Sequence, residues 1–359
     1  IGITDWIRAR FQGGWGADTG KKLPEYEDAK PNKKIICPRN PFWLELDEIT
    51  IAEALKPAGY TSCHVGKWHL GPDKFYPTDQ GFDDNFGGCD LGQPLNYFDP
   101  YTAAKLPGGI PTLPPRKKGE YLTDRETDEA VGFIRKHKDK PFFLYMAHYA
   151  VHTPLMSKPQ LKAKYEAKTP TNQKNATYAG MIESVDESTA KILAAVDELG
   201  LADNTVVVFT SDNGGLLGST SNTPLREGKG WPYEGGIRVP WIVRWPGLTK
   251  AGTTSDSPVI SVDLFPTFCA AAGVALPAGW AIDGIDIRPA LKPGGKLGRQ
   301  NLFWHFPHYR NTQPYSIVRA GDWKLIKRYD GRQFELFNLA DDLSEKTDLS
   351  EKMPDKVRQ

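Results

Sequence analysis

Two basic residues, Lys67 and His69, flank a tryptophan in the sequence VGKWHLG, directly after an apolar run. A cation beside a titratable imidazole can hold a tetrahedral oxyanion and move a proton. If the run is a strand that extends this far, alternation puts both side chains on the same face. The alternative is a solvated lysine next to a structural histidine, so the pair alone does not decide between chemistry and packing.

A carboxylate and an amide, Asp212 and Asn213, follow the apolar run VVVFT. In open α/β sheets, ligands bind just beyond the carboxyl ends of the strands. Carboxylate and amide oxygens are hard ligands that suit Ca²⁺ or Mg²⁺ better than zinc. Ser-Asp-Asn-Gly is also good turn chemistry by itself, so a plain turn is the alternative.

Three further candidates follow other apolar runs. After FFLYMA we interpret His152, close to a proline, as an anion or leaving-group contact and His148 as structural. Lys229 lies in the glycine-rich LREGKGWPYEGG, where backbone amides and a lysine can meet an anion, although the P-loop pattern is absent. All these residues lie just beyond or beside a predicted strand, so they can share one sheet edge and form a site for a charged tetrahedral ester.

The elements that must position these residues alternate along the chain. The apolar periodicity predicts helices at 47–57, at 123–137 with Thr123 as N-cap, and at 172–199. Strands are predicted at 60–68, 141–147, 204–210 and 239–245. Helices alternating with such apolar strands predict an α/β fold with a doubly wound, mostly parallel sheet, in which the last three strands are buried on both faces.

The pattern changes after about residue 300. Three strand-like runs, separated by Ala-Gly-Asp and Asp-Gly turns, predict an antiparallel meander. We therefore divide the chain into an α/β domain at 1–300 and a smaller antiparallel α+β subdomain at 301–359. The final residues resemble a helix cut short, and the first do not resemble a natural start. We therefore expect the chain to be a fragment of a longer protein.

Composition narrows the function classes. The chain has 359 residues, 39% hydrophobic and 25% charged, with a formal net charge of +1. This near-neutral balance gives no case for nucleic acid, and no apolar run is long enough to predict membrane insertion. The four cysteines, Cys37, Cys63, Cys89 and Cys269, form no CxxC, so a zinc knuckle is not expected, while one or two disulfides stay open.

Three motifs in this order, GKWHLG, SDNGG and REGKGWPYEGGIRVP, resemble those of the type I sulfatases, which have an alkaline-phosphatase-like fold. AEALKPAGYTS before the first motif and GDWKLI near the end are also similar, so the resemblance runs along the whole chain. It implies a sulfuric ester hydrolase in which a Cys or Ser of C/S-x-P-x-R becomes formylglycine, whose hydrate attacks the sulfate sulfur.

The resemblance also implies a role for each candidate residue. Asp212 and Asn213 would ligate the metal, with Ca²⁺ expected and Mg²⁺ as the alternative. Lys67 and Lys229 would hold sulfate oxygens and stabilise the charge of the transition state. His69 would assist the formylglycine hydroxyl and the later elimination. His152 would contact the sulfate and, with Lys229, help to protonate the leaving oxygen.

The family's nucleophile motif is not found in this chain. The sequence CPRNP at Cys37 reads C-P-R rather than C-x-P-x-R and precedes a helix where the family has no nucleophile, so we reject it. IGITDW at the start resembles the piece shortly after the nucleophile helix. We therefore expect the nucleophile and the first metal aspartates on a preceding segment, and a chain that is inactive alone.

The expected substrate is a sulfated carbohydrate, of galactose or N-acetylgalactosamine type. His305, His308 and Arg310 lie among aromatic residues and are candidates to contact a sugar with further negative charge, although packing is the alternative. Two other functions stay open: a phosphomonoester or phosphonate hydrolase of the same fold, and a non-catalytic relative that binds sulfated glycan. Family habit suggests a periplasmic or secreted protein.

Overall fold

The computed structural model describes residues 26–27, 33–38, 41–103, 108–276, 279–331 and 333–359. The opening segment compared above with the region after the nucleophile helix lies outside these residues.

The strands of the described ranges are β1 (Tyr26–Glu27), β2 (Cys37–Pro38), β3 (Thr61–Gly66), β4 (Asp84–Phe86), β5 (Phe142–Ala147), β6 (Val207–Thr210), β7 (Trp241–Arg244), β8 (Asn301–Phe306), β9 (Tyr315–Ala320), β10 (Trp323–Arg328) and β11 (Phe334–Asn338). The α-helices are α1 (Ile51–Leu55), α2 (Leu122–His137), α3 (Pro159–Glu166), α4 (Ala176–Glu198), α5 (Glu234–Ile237), α6 (Leu264–Ala271), α7 (Arg288–Leu291) and α8 (Pro354–Arg358).

A parallel sheet in the order β4-β3-β5 carries the first half of the fold. Its middle strand β3 is buried along most of its length, and Cys63 and Val65 pack against Ala130 and Phe133 of α2. Both faces of β3 are covered, and the strand buries polar Ser62 and His64 on one face and Cys63 and Val65 on the other. The predicted α/β fold with parallel strands, helices and a C-terminal antiparallel sheet is confirmed.

Two expectations for the remaining strands were wrong. β7 pairs with β6 in an antiparallel ladder, as a two-stranded unit among the described strands, rather than in parallel. Tyr145, Phe209 and Ile242 are also 48%, 39% and 62% exposed, so β5, β6 and β7 are not buried on both faces. These three strands are thus mostly apolar although each has an exposed face.

The helix boundaries follow capping chemistry. Thr50 caps α1 by accepting a hydrogen bond from the Glu53 amide, and the Glu53 side chain bonds back to Thr50. The long helix α4 begins after Asn175, whose side chain accepts from the Tyr178 amide. The expectation that Thr123 caps α2 was wrong, because the helix begins one residue earlier, after Tyr121.

The C-terminal residues form an antiparallel sheet in the order β11-β10-β9-β8, one strand more than the three predicted. Its core contains Ile326 and Phe337, and it also receives Tyr233 and Trp231 from the glycine-rich segment that carries Lys229. The sheet is therefore packed directly against a candidate site loop.

The four cysteines are buried thiols, and no disulfide joins them. None of the helices in the described ranges has both the length and the apolar character that a membrane crossing requires.

Candidate active site

Lys67 is the first residue beyond β3. Its amide donates to the Ala147 carbonyl at 2.6 Å, which joins the carboxyl ends of β3 and β5. Gly66 makes this approach feasible, because a Cβ there would lie 2.1 Å from the Ala147 oxygen and the residue has φ of 96°. Trp68 then turns into the core, where its indole donates to the Phe75 carbonyl at 2.9 Å. Lys67 is thereby left half-buried at the end of the sheet.

His69 is held by irregular backbone rather than by strand alternation. Its φ is 57°, in the left-handed region, and its amide donates to the Cys89 carbonyl at 2.8 Å. A Cβ added at Gly92 would lie 2.7–3.0 Å from atoms of the imidazole, so the ring lies directly on that glycine. The tryptophan between two polar residues thus works as an anchor, while glycines give the flanking side chains their room.

His152 lies in the loop after β5, with its backbone fixed by Tyr97, whose hydroxyl donates to the His152 carbonyl at 2.9 Å. His152 Nδ1 lies 3.1 Å from the Thr153 carbonyl oxygen and 3.2 Å from the Thr153 hydroxyl, so it can donate to the first or accept from the second. Burial lowers the pKa of His152, and the charges of Lys229 and Lys67 lower it further. The Thr153 carbonyl opposes this shift, but the net pKa of His152 lies below the ordinary value, so the ring is mostly neutral at pH 7.

Asp212 follows β6 in an exposed bend. The backbone beside it is tied to the Lys229 loop, because the Gly214 amide donates to the Gly236 carbonyl at 3.0 Å. A Cβ at Gly214 would lie 1.7 Å from the Gly235 oxygen, so only glycine allows this contact. The side-chain amide of the neighbouring Asn213 donates through Nδ2 to the Gly214 carbonyl.

Lys229 lies between two fixed points. Its amide donates to the Gly215 carbonyl at 3.0 Å, and its carbonyl accepts from Asn311 Nδ2 at 2.9 Å. Arg310 lies next to it, since a Cβ at Gly230 would be 3.1 Å from Arg310 Nε. Burial lowers the pKa of Lys229, and Arg310 adds to this, while Asp212 raises it.

The same carboxylate acts on the other lysine. Burial lowers the pKa of Lys67, with Asp212 opposing and Lys229 contributing to the shift. Lys67, His152, Asp212 and Lys229 therefore lie close enough to affect one another's charges, although they come from four separate loops. Two partly desolvated ammonium groups and a neutral imidazole around one carboxylate can receive an anion and deliver a proton to it.

Three other histidines have different surroundings. His148 Nδ1 lies 2.8 Å from Glu126 Oε2 and its Nε2 lies 3.2 Å from Ser188 Oγ, which agrees with the structural role predicted for it. His305 Nδ1 lies 2.8 Å from Ser316 Oγ on the exposed side of β8. His308 is buried with its ring against Phe306. Of the three candidates for sugar contact, Arg310 is the one placed beside Lys229.

The metal site at Asp212 and Asn213 stays a prediction. Asp212 and Asn213 offer hard oxygen ligands, whereas Ca²⁺ takes about six to eight of them. The residues with described side chains contain no cluster of three or more carboxylate, histidine or cysteine ligands.

Sequence reasoning missed the residues that hold the Lys229 loop. Glu234, Lys324 and Glu345 form a buried ion cluster between this loop and the C-terminal sheet. The available signal was alternation in β10, where Lys324 falls on the same face as Ile326. A charged residue at a core position of a strand indicates a buried partner.

Most of the chain matches two known protein families. Residues 40–274 match the Sulfatase family, and residues 228–357 match the family described as N-sulphoglucosamine sulphohydrolase, C-terminal. A "Sulfatase" of Formosa agariphila is 32% identical, with 90% of this chain and 70% of that protein covered. The human N-acetylgalactosamine-6-sulfatase is 38% identical, with 72% of this chain covered.

A solved structure is also similar to this chain. The crystal structure of Ps i-CgsB in complex with k-i-k-neocarrahexaose superposes with a TM-score of 0.77 at 32% identity, covering 88% of this chain and 73% of that one. The chain spans about half, 51%, of the N-acetylgalactosamine-6-sulfatases that it matches. The chain belongs to the sulfatase family, whose members are sulfuric ester hydrolases.

Proposed function

We propose that this chain forms the larger part of an enzyme that hydrolyses a sulfate ester on a carbohydrate. The observation that carries the proposal is the group of two partly buried lysines and a neutral histidine around Asp212. A sulfate ester carries one negative charge, which grows on the leaving oxygen as the bond to sulfur breaks. Preorganised cations in a partly desolvated site stabilise that charge more than water does.

The two lysines have distinct parts in this proposal. Lys67, fixed at the end of β3, holds a sulfate oxygen and does not move during the reaction. Lys229 also contacts the sulfate, and because burial lowers its pKa its ammonium is a stronger acid, suited to protonating the leaving oxygen. His152 contacts the sulfate and, with Lys229, helps to protonate the leaving oxygen, while His69 assists the formylglycine hydroxyl and the later elimination.

Two groups complete the proposed chemistry. We assign the nucleophile to a formylglycine at a position outside the described residues, where it would supply an activated hydroxyl. A Ca²⁺ held in part by Asp212 and Asn213 would supply further positive charge. The resemblance of the motifs supports both assignments, and no described residue replaces either group.

A sulfated sugar of galactose or N-acetylgalactosamine type is the proposed substrate. The names of the relatives support this class, since one is an N-acetylgalactosamine-6-sulfatase and one is a structure with a bound neocarrahexaose. Arg310 beside Lys229 adds a cation that can meet a second anionic group on the sugar. We place the protein in the periplasm or outside the cell.

The test is Lys229→Ala in the full-length protein, assayed on a 6-sulfated N-acetylgalactosamine. We expect turnover to fall about 100-fold, as loss of one oxyanion contact typically does. Lys250→Ala, at an exposed turn, is the control and should leave turnover unchanged. A Lys229→Ala rate within twofold of the parent would overturn the role of Lys229.

The same preparation separates the alternative functions. Faster hydrolysis of a phosphate monoester than of any sulfate ester would favour a phosphohydrolase. Binding of a sulfated oligosaccharide with no turnover of either ester would favour a glycan-binding protein.

A further inference from the structure

Glu345 occupies an unusual position in the loop that follows β11. Its side chain is 0% exposed, and its φ of 50° places a non-glycine residue in the left-handed region. Such a conformation costs free energy and persists only where surrounding contacts impose it. The contacts around Glu345 come from the Lys229 loop and from the C-terminal sheet.

Three groups converge on Glu345. Arg226 Nη1 donates to its carbonyl oxygen at 2.8 Å, and the Glu234 amide donates to its Oε2 at 2.6 Å. Lys324 Nζ lies 2.8 Å from its Oε1, and the same ammonium lies 3.0 Å from Glu234 Oε1. Backbone and side chain of one residue are thus used together.

The two donors from the loop lie at its two ends. The Gly235 amide donates to the Arg226 carbonyl at 2.9 Å, so residues 226–235 form a closed loop with Lys229 inside it. Arg226 is one partner of that closing hydrogen bond, and Glu234 directly precedes the other partner, Gly235. Fixing both to one residue of the C-terminal subdomain therefore fixes the base of the loop in position and angle.

We propose that Glu345 is a positioning residue for Lys229: it holds both ends of the lysine loop against the C-terminal sheet, so that the ammonium meets the substrate anion. The proposal rests on the proposed function. It adds a role for a residue that contacts no reacting atom. Displacement of a catalytic group by about 1 Å can cost on the order of 100-fold in rate.

Tyr233 adds packing contacts between the lysine loop and the C-terminal sheet. Tyr233, between the two loop ends, receives the Arg226 guanidinium over its ring at 3.8 Å and bonds Glu335 through its hydroxyl at 2.9 Å. Lys324 and Glu234 are each at most 2% exposed. Removing the Glu345 carboxylate leaves the buried Glu234 amide without its acceptor and Lys324 with one carboxylate instead of two, so this end of the loop is expected to move.

The experiment compares Glu345→Ala and Glu345→Gln with a control in the full-length protein. Leu336→Ala is the control, because Leu336 is buried in β11 on the face opposite the neighbouring Glu335 and Phe337. Variants are compared at temperatures equally far below their unfolding midpoints. The measurements are kcat and KM on a sulfated N-acetylgalactosamine, and hydrogen exchange of the amides at 228–231.

We expect Glu345→Ala to lower kcat about 10- to 100-fold, with KM within about twofold, because Lys229 acts mainly on the developing charge. Exchange at 228–231 should become about tenfold faster. Leu336→Ala should change neither value. Glu345→Gln keeps an acceptor oxygen but not the charge, so its kcat loss should be intermediate, and it replaces the alanine variant if that one does not fold.

An equal loss of kcat in Leu336→Ala and Glu345→Ala would overturn the proposal, since Glu345 would then be only structural. Unchanged exchange at 228–231 in both Glu345 variants would overturn it as well. If the parent protein hydrolyses no sulfate ester, the proposed function fails, and the exchange measurement alone still decides whether Glu345 positions the loop.

Discussion

The two lysines of the candidate site are held by different kinds of structure. Lys67 depends on neighbours close at hand: a parallel ladder, a glycine contact and a buried tryptophan in the next position. Lys229 lies in a loop without regular structure, and the contacts that fix the base of this loop come from the C-terminal sheet and Glu345. One cation is placed by sheet geometry and the other by a buried ion cluster.

The difference shows two ways to keep an ammonium group in a defined place. A sheet edge places the backbone but leaves the side chain to find its partner. The ion cluster holds a loop that has no ladder of its own, at the cost of burying charge. Asp212 raises the pKa of both lysines, and Lys229 lowers the pKa of Lys67, so the two halves of the site interact through charge.

The largest expected effect comes from displacing the structure that holds each lysine at its glycine contact, Gly66 for Lys67 and Gly214 for the loop that carries Lys229. Gly66→Ala would put a methyl 2.1 Å from the Ala147 oxygen, and Gly214→Ala would put one 1.7 Å from the Gly235 oxygen. Each should lower kcat/KM by about 100-fold or more, because the strand end or the loop must shift. The control is Gly132→Ala in α2, where a Cβ meets nothing within 4 Å. Unchanged kinetics in either site variant would mean that its half tolerates displacement.

A second prediction concerns the strand-based half and its stability against acid. His64 in β3 is fully buried among Trp68, Phe82 and Tyr145, and burial lowers its pKa from 6.5 to about 3. Between about pH 6.5 and pH 3 the unfolded chain binds a proton at His64 that the folded state does not. The free energy of unfolding therefore decreases by about 1.4 kcal/mol for each unit by which the pH is lowered.

Urea unfolding between pH 7 and 5 tests this, with His64→Phe as the variant because aromatic rings surround the site. The variant should lose less stability than the parent as the pH falls, and parallel curves would show that His64 does not carry the effect. The ion cluster changes stability with pH in the opposite direction. Burial raises the pKa of Glu345, so the folded state is favoured as the pH falls.

The smallest expected effect lies where the halves meet. Burial is the main cause of the lowered pKa of His152, and Lys229 contributes more than Lys67 to the remainder. Lys229→Met should therefore raise the pKa of His152, and Lys67→Met should raise it less. An NMR titration of the His152 ring measures both, with Lys250→Met as the control. A larger shift in Lys67→Met would place His152 with the strand-based half.

Much of the strand-based half could be predicted from sequence. Apolar runs located β3, β5, β6 and β7, and the rule that ligands bind beyond strand ends selected Lys67, His152 and Asp212. The alternation argument for Lys67 and His69 did not hold, because β3 ends at Gly66 and the next residues are irregular. Backbone in the left-handed region at a histidine has no reliable local signal.

The ion cluster could not be predicted in the same way. Glu234 and Glu345 are separated by 111 residues, so nothing in the local pattern of either relates it to the other. Burial of His308 is similarly decided by packing against Phe306 rather than by its own type. Antiparallel pairing of β6 with β7 also depends on which neighbour is nearest in space, which apolar composition does not encode.

The separation of Glu234 from Glu345 has a consequence for the synthesis of the protein on the ribosome. The loop with Lys229 is translated well before its anchor, and the contact spans 111 residues. At roughly 5–20 residues per second, about 6–22 s pass before Glu345 has been made. During that interval the strand-based half can form, whereas the lysine loop must wait. A chain released before residue 345 would keep Lys67 in place and leave Lys229 without its support.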